Sequence, residues 1–225
     1  MKRSILFIII CLISLPTVLL LTNVEITAFN LDFYEKKYRE YNIEEVTGIN
    51  MTNLMYVTNE MLEYLKGNRD DLIIFTEVNG RVEQVFEERE ILHMIDVKDL
   101  FSKGYIIRNS MAIILLIALG FLLVYHNDTL GKAIIISSVW PMLFMGILGI
   151  LVYVDFNRYF NYFHEIFFDN DLWLLDPNTD ILIQMLPLEF FSSIAYRILS
   201  LFAVELILFL VLGIVLNKKK LKRLS

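Results

Sequence analysis

Residues 133–154 read AIIISSVWPMLFMGILGILVYV, an apolar segment in which no side chain carries a charge. A helix needs about 20 such residues to cross the hydrocarbon core of a bilayer. Three further apolar segments occur, at residues 4–21, 107–124 and 190–216. Hydrophobic residues make up 56% of the chain, whereas soluble domains contain roughly 45–50%. The four segments therefore predict a mainly α membrane protein with four transmembrane helices and a small extracytoplasmic α+β cap.

The first apolar segment follows Lys2 and Arg3, as the apolar part of a signal peptide would. No small-residue cleavage site follows it, so we interpret residues 1–22 as an uncleaved signal-anchor helix. The single cysteine of the chain, Cys11, lies inside this segment. It cannot form a disulfide within one chain, and we expect it to pack as a small hydrophobic residue.

Charged residues are divided unevenly between the two sides of a four-span chain. One side carries eight Lys or Arg residues and a single acidic residue, Asp128. The other side, formed by residues 23–107 and 155–189, carries 24 acidic and 10 basic residues. Cytoplasmic loops of membrane proteins are enriched in Lys and Arg. We therefore expect a multi-pass membrane protein with both termini in the cytoplasm and the acidic segments outside.

This orientation gives the predicted domain organisation. The predicted parts are transmembrane helix 1 at 1–22, the extracytoplasmic cap at 23–106, transmembrane helices 2 and 3 with a short cytoplasmic turn at 107–154, an extracytoplasmic loop at 155–189, and transmembrane helix 4 with a basic cytoplasmic tail at 190–225.

Two charged residues lie inside the fourth apolar segment. Arg197 and Glu205 are eight residues apart, so they project on roughly the same face of a helix. Charges within a membrane usually face the bundle interior and mark function, and we expect this of Glu205. For Arg197, an interior position and extension toward the outer headgroups are both open.

The predicted cap contains helical and strand patterns. Residues 31–41 and 50–65 have the spacing of amphipathic helices. Asn79-Gly80 lies between two short apolar-rich runs, and such a pair is the strongest local signal for a β-hairpin because both residues must adopt positive φ. The cap is therefore expected to combine helices with one hairpin.

A further helix is expected to start around Glu87 and to continue, with a break near Gly104, into the second span. It carries His93, with Glu90 three residues before it and Asp96 three residues after it. Both carboxylates can therefore flank the imidazole on one helix face. A carboxylate that accepts from one ring nitrogen would fix the tautomer and leave the other nitrogen free to act as a base.

Two other histidines occur. His164 lies in the aromatic-rich sequence FNRYFNYFHEIFF, ten residues beyond the third span and shortly before Trp173. Such clusters of aromatic rings are typical of the membrane interface. His126 lies in the short inner turn YHNDTLG, where we expect a solvated loop residue. His93 and His164 are thus the candidate pair, both on the outer side and close to a membrane boundary.

Several chemistries lack their motifs in this sequence. There is no Gly-rich phosphate loop and no H-E-x-x-H, C-x-x-C or G-x-S-x-G motif. Two imidazoles can still perform acyl transfer, one as a base and the other as an acid or acyl carrier. Two alternatives stay open: a metal-dependent membrane hydrolase with these histidines and nearby carboxylates as ligands, and a non-enzymatic membrane-anchored binding protein.

Two motifs carry a resemblance to a known family. They are F-x-x-x-E-x-x-H-M-x-D-V-K at residues 86–98, and F-x-x-F-H-E-x-x-F followed by W-x-x-D-P and L-I-x-x-x-P at residues 160–187. Together they resemble the four-span lipoprotein intramolecular transacylase family of Gram-positive bacteria. The resemblance implies transfer of an acyl chain from the sn-2 ester of a lipoprotein's diacylglyceryl-cysteine to the α-amino group of that cysteine, giving an N-acyl lyso-lipoprotein.

The resemblance also implies a site. The two essential histidines of the family would fall on His93 and His164. In our hypothesis His93, oriented by Glu90 or Asp96, is the general base, and His164 is the general acid or transient acyl carrier, although the roles could be exchanged. Arg158 is a candidate to stabilise the oxyanion. The expected partners are the diacylglyceryl-modified lipoprotein N-terminus and membrane lipid, with no cofactor, metal or nucleic acid.

Overall fold

The computed structural model describes the backbone of residues 2–224 and the side chains of residues 4–218. Within these residues the chain forms helices and one two-stranded antiparallel sheet. In chain order the elements are α1 (Lys2–Ala28), α2 (Leu31–Glu40), α3 (Ile43–Thr47), α4 (Met51–Lys66), β1 (Phe75–Val78), β2 (Arg81–Gln84), α5 (Glu88–Tyr125), α6 (Asn127–Val154), α7 (Phe156–Phe167), α8 (Ile181–Met185) and α9 (Leu188–Leu224).

Four of the described helices are long and apolar enough to cross a membrane: α1, α5, α6 and α9. This confirms the prediction of a mainly α protein with four spans and a small strand pair. The predicted break near Gly104 is wrong, because α5 is continuous from Glu88 to Tyr125. A glycine inside a helix costs about 1 kcal/mol relative to alanine, which the rest of a 38-residue helix outweighs.

The residues divide into two compact units. One unit comprises residues 1–25, 104–154 and 196–225, and the other comprises residues 26–103 and 155–195. In the first unit, buried apolar side chains of α1, α5 and α6 form one cluster. Cys11 belongs to this cluster and is 1% exposed, so it packs as the predicted small hydrophobic residue.

In the first unit, α6 and α9 approach each other at two glycines. A Cβ atom added at Gly131 would lie 2.9 Å from the carbonyl oxygen of Gly213, and one added at Gly213 would lie 3.0 Å from the carbonyl oxygen of Gly131. Either added atom would press on the backbone of the other helix. Such small residues let helix backbones come close where no hydrophobic force acts between helices in lipid.

Polar contacts also join the helices of the first unit. The amide nitrogen Nδ2 of Asn23 in α1 donates to Oε2 of Glu205 in α9 at 2.6 Å, and Asn23 is only 2% exposed. This contact agrees with the expected interior position of Glu205. Glu25 forms an ion pair with Arg108 of α5. The side chains of the basic tail from Lys219 onward, on which much of the predicted orientation depends, lie outside the described residues.

The second unit has its own apolar core, formed by α2, α3, α4, the strand pair and α8. The helices predicted at 31–41 and 50–65 correspond to α2 and α4. The predicted hairpin is confirmed: β1 pairs with β2, and Asn79 and Gly80 have φ values of 50° and 81°. The first turns of α5, together with α7 and α8, complete this unit and carry the candidate site.

Candidate active site

Glu90 closes the N-terminus of α5. Its Oε2 accepts from the backbone N–H of Glu87 at 2.6 Å, and its Oε1 accepts from the backbone N–H of Leu182 in α8 at 2.6 Å. The first N–H groups of any helix lack partners within the helix, and an acidic side chain in the first turn can satisfy them. Through these two hydrogen bonds Glu90, which is 1% exposed, fixes the starts of α5 and α8. It lies one turn before His93.

His93 is buried without a hydrogen bond at one ring nitrogen. Its exposure is 7%, and the ring of Phe168 packs against it with ring centroids 5.3 Å apart. Nδ1 has no hydrogen-bond partner among the described residues. Nδ1 of His93 therefore donates to neither Glu90 nor Asp96, and the orienting role of these two carboxylates stays a prediction. Glu90 is held by the two backbone amides, and Asp96 accepts from Nδ2 of Asn170 at 2.8 Å.

His164 is presented by α7, which begins directly after Asp155. The side chain of Asp155 accepts from the backbone N–H of Arg158 at 3.1 Å and caps the helix. One turn before the end of α7, Nδ1 of His164 lies 2.7 Å from the backbone oxygen of Phe160. A carbonyl oxygen only accepts hydrogen bonds, so Nδ1 is assigned the proton. The neutral imidazole therefore has its lone pair on Nε2.

Aromatic side chains enclose His164. Trp173 stacks on the imidazole with ring centroids 4.8 Å apart and an interplanar angle of 27°, and Phe160 packs against it at 4.4 Å. Burial lowers the pKa of His164 below its ordinary value, and the hydrogen bond to Phe160 only partly opposes that shift. His164 is consequently neutral at pH 7 and able to accept a proton.

The structure brings the two predicted histidines together. The ring centroids of His93 and His164 lie 6.0 Å apart, with the ring planes inclined at 38°. The two rings do not bond to each other directly. At this separation, one small group held between them could hydrogen-bond to both.

Arg158 is not part of this pair. Its Nε donates to the hydroxyl of Tyr162 at 3.0 Å, and its guanidinium lies over the ring of Tyr162 at 5.5 Å. Residues six apart are separated by about 240° around a helix axis, so Arg158 and His164 do not share a face of α7. Its role at the oxyanion stays a prediction, and no contact described above supports it.

The sequence analysis did not identify all of the residues that surround the two histidines. The loop of residues 168–180, which we call the Trp173 loop, contains Asn170, and this residue bonds to Asp96 as described. Trp173 was noted only as an interfacial aromatic residue. Its indole N–H donates to the backbone oxygen of Asn170 at 3.0 Å. No sequence pattern marks Asn170, because its partner lies 74 residues away.

The metal alternative gains no ligand set from the described residues. No group of three or more His, Cys, Asp or Glu side chains among them could hold a metal ion. The carboxylates that sequence spacing placed beside His93 are engaged elsewhere, Glu90 by backbone amides and Asp96 by Asn170.

Comparisons with known proteins give the family. The model of the family described as lipoprotein intramolecular transacylase Lit matches residues 9–191. The in meso structure of the membrane-integral lipoprotein intramolecular transacylase Lit from Bacillus cereus is similar at a TM-score of 0.86 and 23% identity, covering 100% of this chain and 99% of that one. A second structure of that enzyme, with one histidine replaced by alanine, is similar at a TM-score of 0.78 and 22% identity, covering 100% and 97%. At these identities the likeness shows the fold.

An uncharacterized protein of Aquifex aeolicus (strain VF5) is 32% identical over 146 residues, which are 64% of this chain and 62% of that protein. The chain thus matches less than two thirds of the length of this curated relative. The family model, by contrast, covers most of the chain, including both histidine motifs. The fold, the four apolar helices and this match lead to one conclusion: the chain is a multi-pass membrane protein that belongs to the lipoprotein intramolecular transacylase family.

Proposed function

We propose that this protein transfers an acyl chain within the N-terminus of a bacterial lipoprotein. The chain leaves the sn-2 ester of the diacylglyceryl-cysteine and joins the α-amino group of the same cysteine, giving an N-acyl lyso-lipoprotein. Family membership supports this reaction class. The observation that carries the assignment of the site is the pair of buried imidazoles of His93 and His164, with ring centroids 6.0 Å apart.

The reaction needs one proton acceptor and one proton donor. The α-nitrogen attacks the ester carbonyl carbon, a C–N bond forms, and the bond between the acyl carbon and the sn-2 oxygen breaks. The nitrogen loses a proton and the departing oxygen gains one. Both transfers suit imidazoles held within hydrogen-bond reach of the reacting atoms.

The geometry favours an exchange of the roles first assigned from the sequence. His164 has its Nδ1 proton committed to the Phe160 carbonyl oxygen, so its Nε2 is the natural acceptor for the proton of the amine. His93 is buried, and burial favours a neutral ring, which still carries one N–H. We assign that N–H to the departing sn-2 oxygen. His164, which has taken the proton of the amine, then passes one proton to His93, so that both rings end neutral.

The arrangement requires no external acyl donor. Amine and ester belong to one lipid-modified cysteine, so the step is effectively unimolecular once both are held between the rings. Holding reactants in this way can supply about 7–11 kcal/mol of a barrier in favourable cases. Binding and orientation are therefore the main contributions expected of the protein, with proton transfer added by the two histidines.

We place the site at the extracytoplasmic face, with both termini in the cytoplasm. The excess of basic residues on the opposite side supports this orientation. The exposed apolar side chains of α7, Phe163, Ile166 and Phe167, suit headgroup depth, and α7 begins two residues after the end of α6. The ester of a membrane-anchored lipoprotein lies at that depth.

The direct test is to express the protein in a bacterium that lacks lipoprotein N-acylation. The N-terminal lipopeptide of one abundant lipoprotein is then examined by mass spectrometry. Conversion from the diacylglyceryl form to the N-acyl lyso-form is expected. His93→Asn and His164→Asn should each reduce conversion by roughly 100-fold or more, the usual contribution of a general acid or base.

His126→Asn provides the matched control, because this third histidine lies in the turn between α5 and α6, where its ring packs on Phe121, and should leave conversion unchanged. Retained conversion in either site variant would remove that histidine from the mechanism. A wild-type protein that is present in the membrane but does not convert the lipoprotein would overturn the proposed activity. The metal-dependent hydrolase and the membrane-anchored binding protein would then be the remaining hypotheses.

A further inference from the structure

The Trp173 loop is attached to α5 on both sides of His93. Arg89, four residues before His93, donates through Nη2 to the backbone oxygen of Asp171 at 2.6 Å. Asp96, three residues after His93, accepts from Nδ2 of Asn170 at 2.8 Å. The loop therefore crosses the helix that carries one histidine at two fixed points about two turns apart.

Asn170 connects this attachment to the other histidine. Its side-chain oxygen accepts from the backbone N–H of Leu172 at 3.0 Å, and its backbone oxygen accepts from the indole N–H of Trp173 at 3.0 Å. Trp173 in turn stacks on His164 at 4.8 Å. A continuous set of contacts thus runs from Asp96 through Asn170 and Trp173 to the imidazole of His164.

Two constraints are needed to orient an imidazole. The hydrogen bond from Nδ1 of His164 to Phe160 fixes one edge of the ring, but the ring can still tilt about that bond. A flat aromatic surface against the ring face removes this freedom, and Trp173 supplies such a surface. With both constraints, the direction of Nε2 is fixed.

We propose that Asn170 is a positioning residue of the site. By holding the Trp173 loop to Asp96 it keeps Trp173 against His164, and it thereby aims the Nε2 atom of His164 toward the reacting group. This inference rests on the proposed function for its catalytic consequence. The coupling between Asn170 and Trp173 can be measured without any activity.

The proposal competes with a direct role for Asp96. Asp96 lies one turn from His93, so its negative charge could act on that imidazole by itself. In that case the contact to Asn170 would be incidental. Loss of the charge and loss of the hydrogen bond must therefore be tested separately.

Three variants separate the two. Asn170→Asp keeps the oxygen that accepts from Leu172 but turns the contact with Asp96 into a repulsion between two carboxylates. Asp96→Asn removes the charge, yet its amide can still bond to Asn170. The double variant D96N/N170D restores a hydrogen bond between an amide and a carboxylate with the two side chains exchanged.

We expect N170D to lower the lipoprotein conversion rate by at least about tenfold, since a displacement of 1 Å at a reacting group can cost roughly 100-fold. The loss should lie in the rate at saturating lipoprotein, because Asn170 contacts no substrate atom in this scheme. D96N alone should be mildly affected, and the double variant should recover to within about threefold of the wild type. Full activity of N170D, or a severe loss in D96N that the double variant does not relieve, would overturn the proposal.

A spectroscopic measurement tests the coupling independently. The chain has two tryptophans, and Trp140→Phe leaves Trp173 as the only indole. Trp140 lies in the first unit, where its indole N–H donates to the backbone oxygen of Leu12, and it is outside the site. Stacking on an imidazole shields one face of the indole ring from added quenchers. In the W140F protein, N170D should increase the quenching of Trp173 emission by acrylamide, and D96N/N170D should reverse this change.

The two readouts distinguish the possible failures. A change in quenching that follows the variants in a protein with no transacylase activity would support the coupling and overturn the proposed function. Quenching that is identical in all variants would overturn the coupling, whatever the activity.

Discussion

The two histidines have equal exposure, 7% each, but opposite surroundings. His164 is held at Nδ1 by the Phe160 carbonyl and on one face by Trp173. Among the described residues, the buried Nδ1 of His93 has no hydrogen-bond partner. A fixed tautomer suits a group that always accepts the same proton. An unpartnered nitrogen costs about 1–3 kcal/mol of folding free energy, and it suits a group whose partner arrives with the substrate.

The largest expected effect comes from removing a hydrogen bond of Glu90, the buried carboxylate one turn before His93. Glu90→Gln replaces one of two carboxylate oxygens with an NH2 group, which cannot accept from Glu87 or Leu182. One buried backbone N–H is then left without a partner, and we expect the free energy of unfolding to fall by about 1–3 kcal/mol. Thermal unfolding of the purified protein in detergent measures this loss.

Glu88→Gln is the matched control in the same turn of α5, because Glu88 is exposed. Its effect should stay within about 0.5 kcal/mol. Equal stability of the two variants would show that the Glu90 contacts contribute nothing net to folding.

Replacing each histidine with phenylalanine tests whether the two rings have opposite effects on the free energy of unfolding. His93→Phe removes a buried nitrogen that lacks a partner and keeps an aromatic ring against Phe168, so unfolding free energy should rise by about 1 kcal/mol. His164→Phe removes the side-chain hydrogen bond to the Phe160 carbonyl, so unfolding free energy should fall by about 1 kcal/mol. Chemical or thermal unfolding of both variants checks the signs. The same sign for both would refute the contrast between the two rings.

The smallest expected effect is a pH dependence of stability. The pKa of His164 is lowered in the folded protein, whereas in the unfolded chain a histidine titrates near about 6.5. As the pH falls below that value, the unfolded chain binds the proton more readily than the folded protein, so stability decreases.

Melting temperatures at about pH 7.5 and about pH 5.5 should therefore differ by more in the wild type than in His164→Asn, because only the wild type has this titrating ring. An equal decrease in both proteins would mean that His164 titrates alike in the folded and unfolded states.

The sequence predicts those features whose causes are local. The four spans follow from apolar segments of about 20 residues, and the hairpin follows from the positive φ that Asn79 and Gly80 accept. The expected break at Gly104 was wrong for a related reason: one local signal was given more weight than the long helix on both sides of it.

The site was predictable only in part. The spacing of Glu90 and Asp96 correctly places both near His93 along α5, but spacing does not reveal competing partners. The backbone amide of Leu182 lies 92 residues from Glu90, and Asn170 lies 74 residues from Asp96. Backbone N–H and carbonyl groups occur at every residue, so no side-chain pattern shows which of them a carboxylate or an imidazole will find.

The hydrogen bond between Asn23 and Glu205 has a consequence for biosynthesis. It joins α1 and α9, across 182 residues of sequence. During translation α1 enters the bilayer long before α9 exists, so the Asn23 amide must spend that interval with another partner or in contact with water, since hydrocarbon offers none. The bundle can therefore close at this point only after α9 has been inserted, and the arrival of the last helix completes the environment of the first.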